Sequence, residues 1–433
     1  MDWTHVSIYA MTRFATIILI ALAAEFTLKL WADRLNLRSL SPRLPTAFKD
    51  HYSPARYKRS QAYLKAKTQL GWISSGVIAF FWLVFWFGGG FSALDAGLDR
   101  RGLPVLTEGV LFIGSLLTLN YIISLPFTVY HVFGIEARFG FNRTSLKTFM
   151  TDQIKFVALT MTIGVPLMTI VLALFNFGGP RAWLVCWVAV ATYLVLLQFI
   201  APKLILPLFN RYEPLPDGPL RRAIVDYAQK IQFTMKHIFV MDGSRRSSKS
   251  NAFFTGWGAN KRIALFDTLI TQLTVRELVA VLAHEMGHYK KGHILMGMAL
   301  SLIQTAGLLF LFSLLMDYRP LYEAFGVEQP SVHTGLVFFS ILLSPLALVA
   351  GIGTHWLSRR NEYQADRFAV STAPHPEALI SALVKLTVQN MGNLHPHRLY
   401  VTLYFSHPPV LQRIAAIEAV VPSSAGVDKK RQD

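Results

Sequence analysis

Stretches of apolar residues long enough to cross a lipid bilayer recur along this 433-residue chain, and they constrain its fold more than any other feature. A membrane-spanning helix needs about 20 mostly apolar residues, because the bilayer core offers the backbone no hydrogen-bond partner outside the helix. The seven stretches of this kind are Ile8–Leu28, Trp72–Ala93, Leu106–Tyr130, Phe156–Phe177, Trp183–Ala201, Ile294–Met316 and Leu336–Trp356. We therefore predict a mostly α-helical, multi-pass membrane protein.

Charge is scarce and mostly basic, which agrees with a membrane protein. Asp, Glu, Lys and Arg make up 15% of the residues, against about 25% in soluble domains. The formal net charge is +17, which on a soluble protein would suggest nucleic acid. Here the basic residues lie in loops between the apolar stretches, so we expect anionic membrane lipids as partners and no nucleic acid.

The distribution of basic residues between the loops predicts the orientation. The basic residues that follow the first and third stretches are Lys29, Arg34, Arg38, Arg43, Lys49, Arg56, Lys58, Arg59, Lys65, Lys67, Arg138, Arg143, Lys147 and Lys155. The basic residues of the opposite loops are Arg100, Arg101, Arg181 and Arg319. The positive-inside rule then places the N-terminus outside, and the segments 202–293 and 358–433 in the cytoplasm.

A metal-binding pattern lies in the first of these cytoplasmic segments. Thr274 and Glu277 form a predicted capping box that starts a helix over Val275–His288. His284 and His288 are four residues apart on that helix, so both imidazoles can bind one zinc ion. Glu285 can then reach a water molecule at the metal and act as general base. The alternative is two solvent-facing histidines, which the apolar character of the helix disfavours.

A third ligand is expected after the last apolar stretch. Glu362 and Asp366 are four residues apart on a predicted helix. We assign Glu362 as the third zinc ligand, and Asp366 as the acceptor of the free N–H of a ligand histidine. Spacing alone leaves open that these two carboxylates belong to a solvated charged face, because Arg359, Arg360 and Arg367 lie nearby.

Several further segments form recognisable motifs together with the histidine helix. They are Ile135-Glu136 with Gly140-Phe141-Asn142, Leu206-Pro207-Leu208-Phe209-Asn210, Asn251–Gly256, Lys261–Leu269, Glu362–Asp366, and Ser406–Pro409 followed by Arg413. Together these motifs resemble those of the type I CAAX prenyl proteases, which are integral-membrane zinc endopeptidases, and the resemblance covers nearly the whole chain. The resemblance implies seven helices that form a barrel around an intramembrane chamber. A zincin-like domain with a small β element would cap the barrel on the cytoplasmic side. It also implies one zinc ion per chain and the hydrolysis of peptides near a prenylated cysteine.

This reading divides the chain into interleaved parts. Residues 1–201 hold the first five spans, 294–357 the last two, and 422–433 a flexible tail. The metallopeptidase domain is split between 202–293 and 358–421. Within the first part, the sequence predicts a helix over Leu220–Ile231 and strands over Ile238–Met241 and Arg262–Phe266.

The resemblance also assigns residues around the metal. His407 is the candidate donor to the oxyanion, although a histidine before a Pro-Pro turn can equally be a loop residue. Arg413 is expected to assist it or to neutralise the surroundings of Glu362. Asn251 and Ala252 are expected on an edge strand that binds extended peptide substrate, with a turn as the alternative. His293 is five residues from His288, off the ligand face, and is interpreted as a membrane-interface histidine.

Two other functions remain in view. The first is a general quality-control metalloprotease of the HtpX type, which usually has fewer spans. The second is a transporter or channel with an incidental metal site. It predicts ionisable residues in mid-span, and the apolar stretches are nearly free of them. A bacterial inner membrane is the favoured location, or the endoplasmic reticulum if the source is eukaryotic, with the active site on the cytoplasmic side.

Overall fold

A computed structural model describes residues 12–235, 237–255 and 262–420. The predicted start of the first span at Ile8 and the tail 422–433 lie outside these ranges, as does 256–261. The α-helices are α1 (Arg13–Arg38), α2 (Pro54–Phe87), α3 (Gly90–Asp99), α4 (Val105–Val129), α5 (Leu146–Leu159), α6 (Val165–Phe177), α7 (Ala182–Ile200), α8 (Leu206–Phe209), α9 (Pro219–Lys230), α10 (Asp267–Gln272), α11 (Val275–Lys290), α12 (His293–Leu315), α13 (Arg319–Glu323), α14 (Val332–Thr372), α15 (Glu377–Gln389), α16 (Arg398–Tyr404) and α17 (Val410–Glu418).

The described strands form one small sheet. They are β1 (Tyr212–Pro214), β2 (His237–Met241), β3 (Ala252–Thr255) and β4 (Arg262–Phe266), in the order β1-β2-β4-β3. The pair β2–β4 is parallel and the other two pairs are antiparallel. The two strands expected from the sequence are β2 and β4, and the predicted helix over Leu220–Ile231 is α9.

Seven described helical segments are long and apolar enough to cross a membrane, which confirms the predicted multi-pass fold. These segments are α1, α2, α4 with its extension to Glu136, α5 with α6, the segment 179–209 that contains α7, α12 and α14. Several of these helices are longer than the predicted apolar stretches. A helix can continue outside the membrane with polar residues, which a search for apolar stretches does not detect. For example, α2 begins at Pro54, with the Ser53 side chain accepting a hydrogen bond from the Arg56 backbone.

The predicted end of the second span at Ala93 is wrong. The helix stops at Phe87, and a separate helix, α3, begins at Gly90. Gly89 between them has φ 73°, a left-handed conformation that side chains disfavour. The aromatic residues that made the stretch look continuous, such as Phe91, pack into the closed end of the barrel instead.

The spans form a closed ring, consistent with the predicted barrel. In sequence order, α1, α2, α4, α6, α7, α12 and α14 each pack on the next, and α14 packs back on α1. One cavity of about 1060 Å³ lies inside the ring, between α1, α2, α4 and α14. The barrel therefore encloses open space at this level.

An aromatic cluster closes one end of this barrel. Trp86, Phe91, Phe325 and Phe338 stack there, with the ring centroids of Phe325 and Phe338 4.2 Å apart. This end lies at the start of α14, whose 41 residues run on to the opposite end. From the start of α14 at Val332 to Glu362 the helix extends by about 45 Å at 1.5 Å per residue.

At that opposite end, the sheet and the helices α9, α10, α11, α15 and α17 form a second core. The helix α11 lies at its centre and packs against α9, α14, α15 and β3. Because α14 continues from the barrel into this core, the predicted boundary between 357 and 358 falls inside one helix. That boundary marks a change of surroundings rather than a break in the fold.

Candidate metal centre

The helix α11 is held firmly at its start. The Thr274 side chain accepts a hydrogen bond from the Glu277 backbone, and Glu277 Oε2 accepts one from the Thr274 backbone at 2.8 Å. Glu277 also pairs with Lys385 of α15 at 2.7 Å. Burial would raise the pKa of Glu277, but hydrogen bonds from Lys385, Ser381 and Thr274 outweigh it and lower that pKa. The cap thus fixes the helix against α15.

Three side chains converge between α11 and α14. The Nε2 atoms of His284 and His288 are 3.2 Å apart. Glu362 Oε1 is 3.2 Å from His288 Nε2, and Glu362 Oε2 is 3.5 Å from His284 Nε2. Ligand atoms around a tetrahedral zinc ion with bonds of about 2.0–2.1 Å lie roughly 3.3 Å apart. The arrangement matches these separations.

The burial and the hydrogen bonding of the Glu362 carboxylate also fit a bound cation. Glu362 is only 4% exposed, and its Oε2, although 3.2 Å from Arg413 Nη1, accepts no well-aligned hydrogen bond from any described residue. Both imidazoles turn Nε2 toward the same carboxylate. A buried carboxylate oxygen without a hydrogen bond is costly, and a metal ion between the three groups would remove that cost.

Asp366 and Arg413 lie next to this cluster and contact its side chains. Asp366 Oδ1 lies 2.8 Å from His284 Nδ1, so it accepts that N–H and leaves Nε2 facing Glu362. Arg413 of α17 donates to both oxygens of Asp366 at 2.6 and 2.8 Å. Its Nη1 lies 3.2 Å from Glu362 Oε2. One buried guanidinium therefore contacts both buried carboxylates.

These contacts shift the titration of His284. Burial opposes the charged imidazolium, but the contacts with Asp366 and Glu362 outweigh it and raise the pKa of His284 to about 9. The metal-free site therefore holds an extra proton at neutral pH. A metal ion that binds Nε2 has to displace it.

The metal cluster faces a cavity of about 710 Å³. Glu285, His407, Asn251 and Ala252 line it, and it extends along α12 as far as Gln304. His407 Nε2 lies 3.3 Å from Glu362 Oε1, and its Nδ1 is 2.9 Å from Ser406 Oγ. The predicted catalytic and binding residues thus share one cavity with the metal cluster.

Asn251 directly precedes β3, and Ala252 is the first residue of that strand. Among the described strands, β3 lies at an edge of the sheet and pairs on one side only, with β4. Asn251 Oδ1 accepts a hydrogen bond from the Ala252 backbone at 2.9 Å. Two residues earlier, Lys249 pairs with Glu136 at 2.7 Å and anchors this segment to the barrel.

The sequence interpretation did not predict the contacts that His293 and Gln364 make beside the cluster. His293, 8% exposed, lies with Nδ1 3.1 Å from His288 Nδ1 and with Nε2 3.1 Å from Gln364 Oε1. The spacing argument assumed one continuous helix, but Gly292 with φ 72° turns the chain between α11 and α12. A glycine between the last two histidines was the available signal for that turn.

Comparisons with known proteins agree over most of the chain. Residues 33–211 match the family described as CAAX prenyl protease N-terminal, five membrane helices, and residues 214–421 match peptidase family M48. The CAAX prenyl protease 1 homolog of Arabidopsis thaliana is 35% identical, over 92% of this chain and 94% of that protein. CAAX prenyl protease 1 of Saccharomyces cerevisiae is 31% identical, over 92% and 93%.

The architecture has a solved counterpart as well. The crystal structure of S. mikatae Ste24p superposes with a TM-score of 0.89 at 29% identity, covering 94% of this chain and all of that one. The matched segments include both the ring of spans and the domain that carries the metal cluster. The chain therefore belongs to the CAAX prenyl protease 1 family, the membrane-spanning metallopeptidases of family M48.

Proposed function

We propose that this membrane metallopeptidase uses one zinc ion to hydrolyse peptide bonds near the C-terminus of prenylated or otherwise hydrophobic peptides. The observation that carries the proposal is the position of the His284–His288–Glu362 cluster at a cavity that continues along α12 into the barrel. A peptide with an apolar anchor can place its scissile bond at the metal while the anchor stays among the spans.

In this proposal, His284, His288 and Glu362 hold the ion, and two imidazoles with one carboxylate are a donor set typical of catalytic zinc. Zinc bound there would supply a Lewis acid and make a water molecule more acidic. The Glu285 carboxylate accepts the proton of the attacking water and passes it to the leaving amine nitrogen. His407 Nε2 donates to the developing oxyanion.

The other residues position these groups. Asp366 holds the proton on His284 Nδ1, so that Nε2 presents its lone pair to the ion. Arg413 balances the charge of Asp366 and Glu362. The edge of β3 that pairs with no described strand offers backbone groups to an extended peptide, and Asn251 and Ala252 at its start contact the residues next to the scissile bond.

The same proposal assigns the parts of the chain and their location. Residues 1–201 and 294–357 form the membrane part, 202–293 and 358–421 the metallopeptidase part, and 422–433 the tail. The asymmetry of basic loops supports an active site on the cytoplasmic side. A bacterial inner membrane is favoured over the endoplasmic reticulum. A quality-control protease of the HtpX type is disfavoured, since the five-helix N-terminal family matches here.

The test is the cleavage of a farnesylated peptide by purified protein. Glu285→Gln keeps the shape of the side chain but removes its proton acceptor, so we expect kcat to fall by about 10²–10⁴-fold. Glu418→Gln, on the exposed surface of α17, is the matched control and is expected to keep full activity. Equal cleavage by the Glu285→Gln variant and its parent would refute the mechanism.

A second arm tests the substrate class. The same peptide without its prenyl group is expected to be cut with a much higher KM, because it lacks the apolar anchor. Equal kcat/KM for both peptides would instead favour a general protease.

A further inference from the structure

His293 and Gln364 make a chain of contacts that ends on a ligand histidine. His293 is the first residue of α12, and Gln364 lies on α14 two residues after Glu362. Gln364 Oε1 is 3.1 Å from His293 Nε2, and His293 Nδ1 is 3.1 Å from His288 Nδ1. The three side chains therefore link α11, α12 and α14 behind the metal cluster.

The direction of each hydrogen bond follows from which nitrogen of His288 would bind the metal. A metal ion at His288 Nε2 needs the lone pair of that atom, so the proton of the neutral ring sits on Nδ1. That N–H points at His293 Nδ1, which must then be an acceptor. A neutral His293 with a free Nδ1 carries its proton on Nε2, and Gln364 Oε1 accepts it.

His293 itself is not a fourth ligand in this geometry. Its contact is with Nδ1 of His288, while the cluster forms at Nε2 on the other side of that ring. The other ring nitrogen of His293 is occupied by Gln364. The residue thus acts on the metal only through His288.

We propose that His293 and Gln364 are positioning residues that fix the tautomer and ring orientation of His288 for the metal, as a counterpart to Asp366 at His284. This inference rests on the proposed zinc site. The two ligand histidines then have different supports: a carboxylate paired with Arg413 at His284, and a neutral imidazole backed by an amide at His288.

The neutral relay has a physical advantage at this place. His293 at the start of α12 and His288 near the end of α11 both line the cavity, where an additional buried charge would be costly. A carboxylate in the position of His293 would add negative charge beside Glu362. An imidazole with an amide behind it orients His288 without net charge.

The experiment measures zinc affinity by chelator competition in full-length purified protein. His293→Phe keeps the volume of the ring but removes the acceptor, and is expected to weaken zinc binding by about 10–100-fold. His293→Asn presents Oδ1 near the position of Nδ1 and is expected to restore affinity to within about 3-fold of the parent. His237→Phe, at an exposed position of β2, is the matched control.

Gln364 gives an independent arm if His293→Phe fails to fold. Gln364→Leu removes the acceptor that fixes the His293 tautomer, and is expected to weaken zinc binding by about 10-fold, the lower end of such effects. Gln364→Glu keeps an acceptor oxygen and is expected to bind zinc more tightly than Gln364→Leu.

The outcomes separate this inference from the proposed function. If the parent binds no zinc, the proposed function fails. If the parent binds zinc and His293→Phe binds it equally well, only the inference fails. Equal losses in His293→Phe and His293→Asn, or in both Gln364 variants, would indicate a general packing role and would also overturn it.

Discussion

At the scale of single residues, Arg413 allows two buried carboxylates, those of Asp366 and Glu362, to lie close together. The guanidinium contacts both oxygens of Asp366 and lies 3.2 Å from Glu362. A buried charge is stable only when it is paired and hydrogen-bonded. In the metal-free protein, only Arg413 and the protonated His284, among the described residues, balance these two carboxylates, so the fold depends strongly on Arg413.

Replacing Arg413 by Met should therefore destabilise the metal-free protein. Removing one partner of a buried ion pair costs about 3–5 kcal/mol, because the other partner is left without compensation. Arg367→Met, on the exposed face of α14, is the matched control and should change stability by less than about 1 kcal/mol. Denaturant unfolding in detergent measures both. Equal stability of the two variants would contradict this account of Arg413.

Zinc affinity should depend on pH through His284. The pKa of this residue is raised to about 9 in the metal-free site, so metal binding releases a proton at any lower pH. We expect the apparent zinc affinity to fall about tenfold for each pH unit below that value, through this proton alone. Chelator competition between pH 7 and pH 8.5, roughly the stable range, measures the slope. An affinity independent of pH would contradict the protonated state of His284.

The sequence could bring together His284, His288 and Glu285 because their relation depends on one helical turn. It could propose Glu362 and Asp366 by the same local rule. It could not find His293, because that contact depends on the turn at Gly292 and on where α14 passes. The spacing of residues along one helix does not predict its contacts with other helices.

At the scale of secondary structure elements, the start of α11, the helix that carries His284 and His288, is stabilised in a pH-sensitive way. Glu277 caps this helix, pairs with Lys385 and has a lowered pKa. A group with a depressed folded-state pKa stabilises the fold above its ordinary value of 4.5 and loses that effect as pH falls through the folded-state pKa. Part of the stability at neutral pH should therefore be lost in acid.

Glu277→Gln tests this support. The amide keeps an oxygen for the cap but loses the charge that pairs with Lys385. We therefore expect a lower free energy of unfolding at neutral pH, and a smaller decrease of that free energy as the pH falls. Unfolding midpoints from pH 7 down to about pH 2.5, a range that extends below the ordinary pKa of a glutamate, measure the difference. Parallel pH curves for the variant and its parent would show that Glu277 is not responsible.

Element boundaries were the weakest part of the sequence interpretation. Hydropathy located each span, but it did not predict the break at Gly88 and Gly89 or the continuation of α14 to Thr372. The three-residue strand β1 had no recognisable pattern, because its pairing with β2 comes from tertiary contact. Hydropathy reports the surroundings of a segment, whereas helix ends are set by caps and turns.

At the scale of the whole molecule, the ring of spans explains how a water-consuming site can serve an apolar substrate. The helix α14 joins the closed aromatic end to the metal cluster, and α12 lines the cavity beside that cluster. The number of spans followed from the sequence. Their order around the barrel came from packing that residue patterns alone do not specify.

The predicted orientation is open to cysteine labelling, because the native chain has one cysteine, Cys186, and it is buried in α7. Lys58→Cys and Arg101→Cys place a thiol at exposed positions that the predicted topology puts on opposite sides of the membrane. With an impermeant reagent added to intact cells, we expect Arg101→Cys to be labelled and Lys58→Cys to be protected. The reverse pattern would place the metal centre outside.

The most direct test of the central claim is the zinc-edge X-ray absorption spectrum of the purified protein. One ion per chain is expected, with two imidazole nitrogens and a carboxylate oxygen at about 2.0–2.2 Å. Glu362→Gln should reduce the bound zinc, while Glu285→Gln should keep it. Absence of zinc in the parent, or a coordination shell without two histidines, would contradict the account.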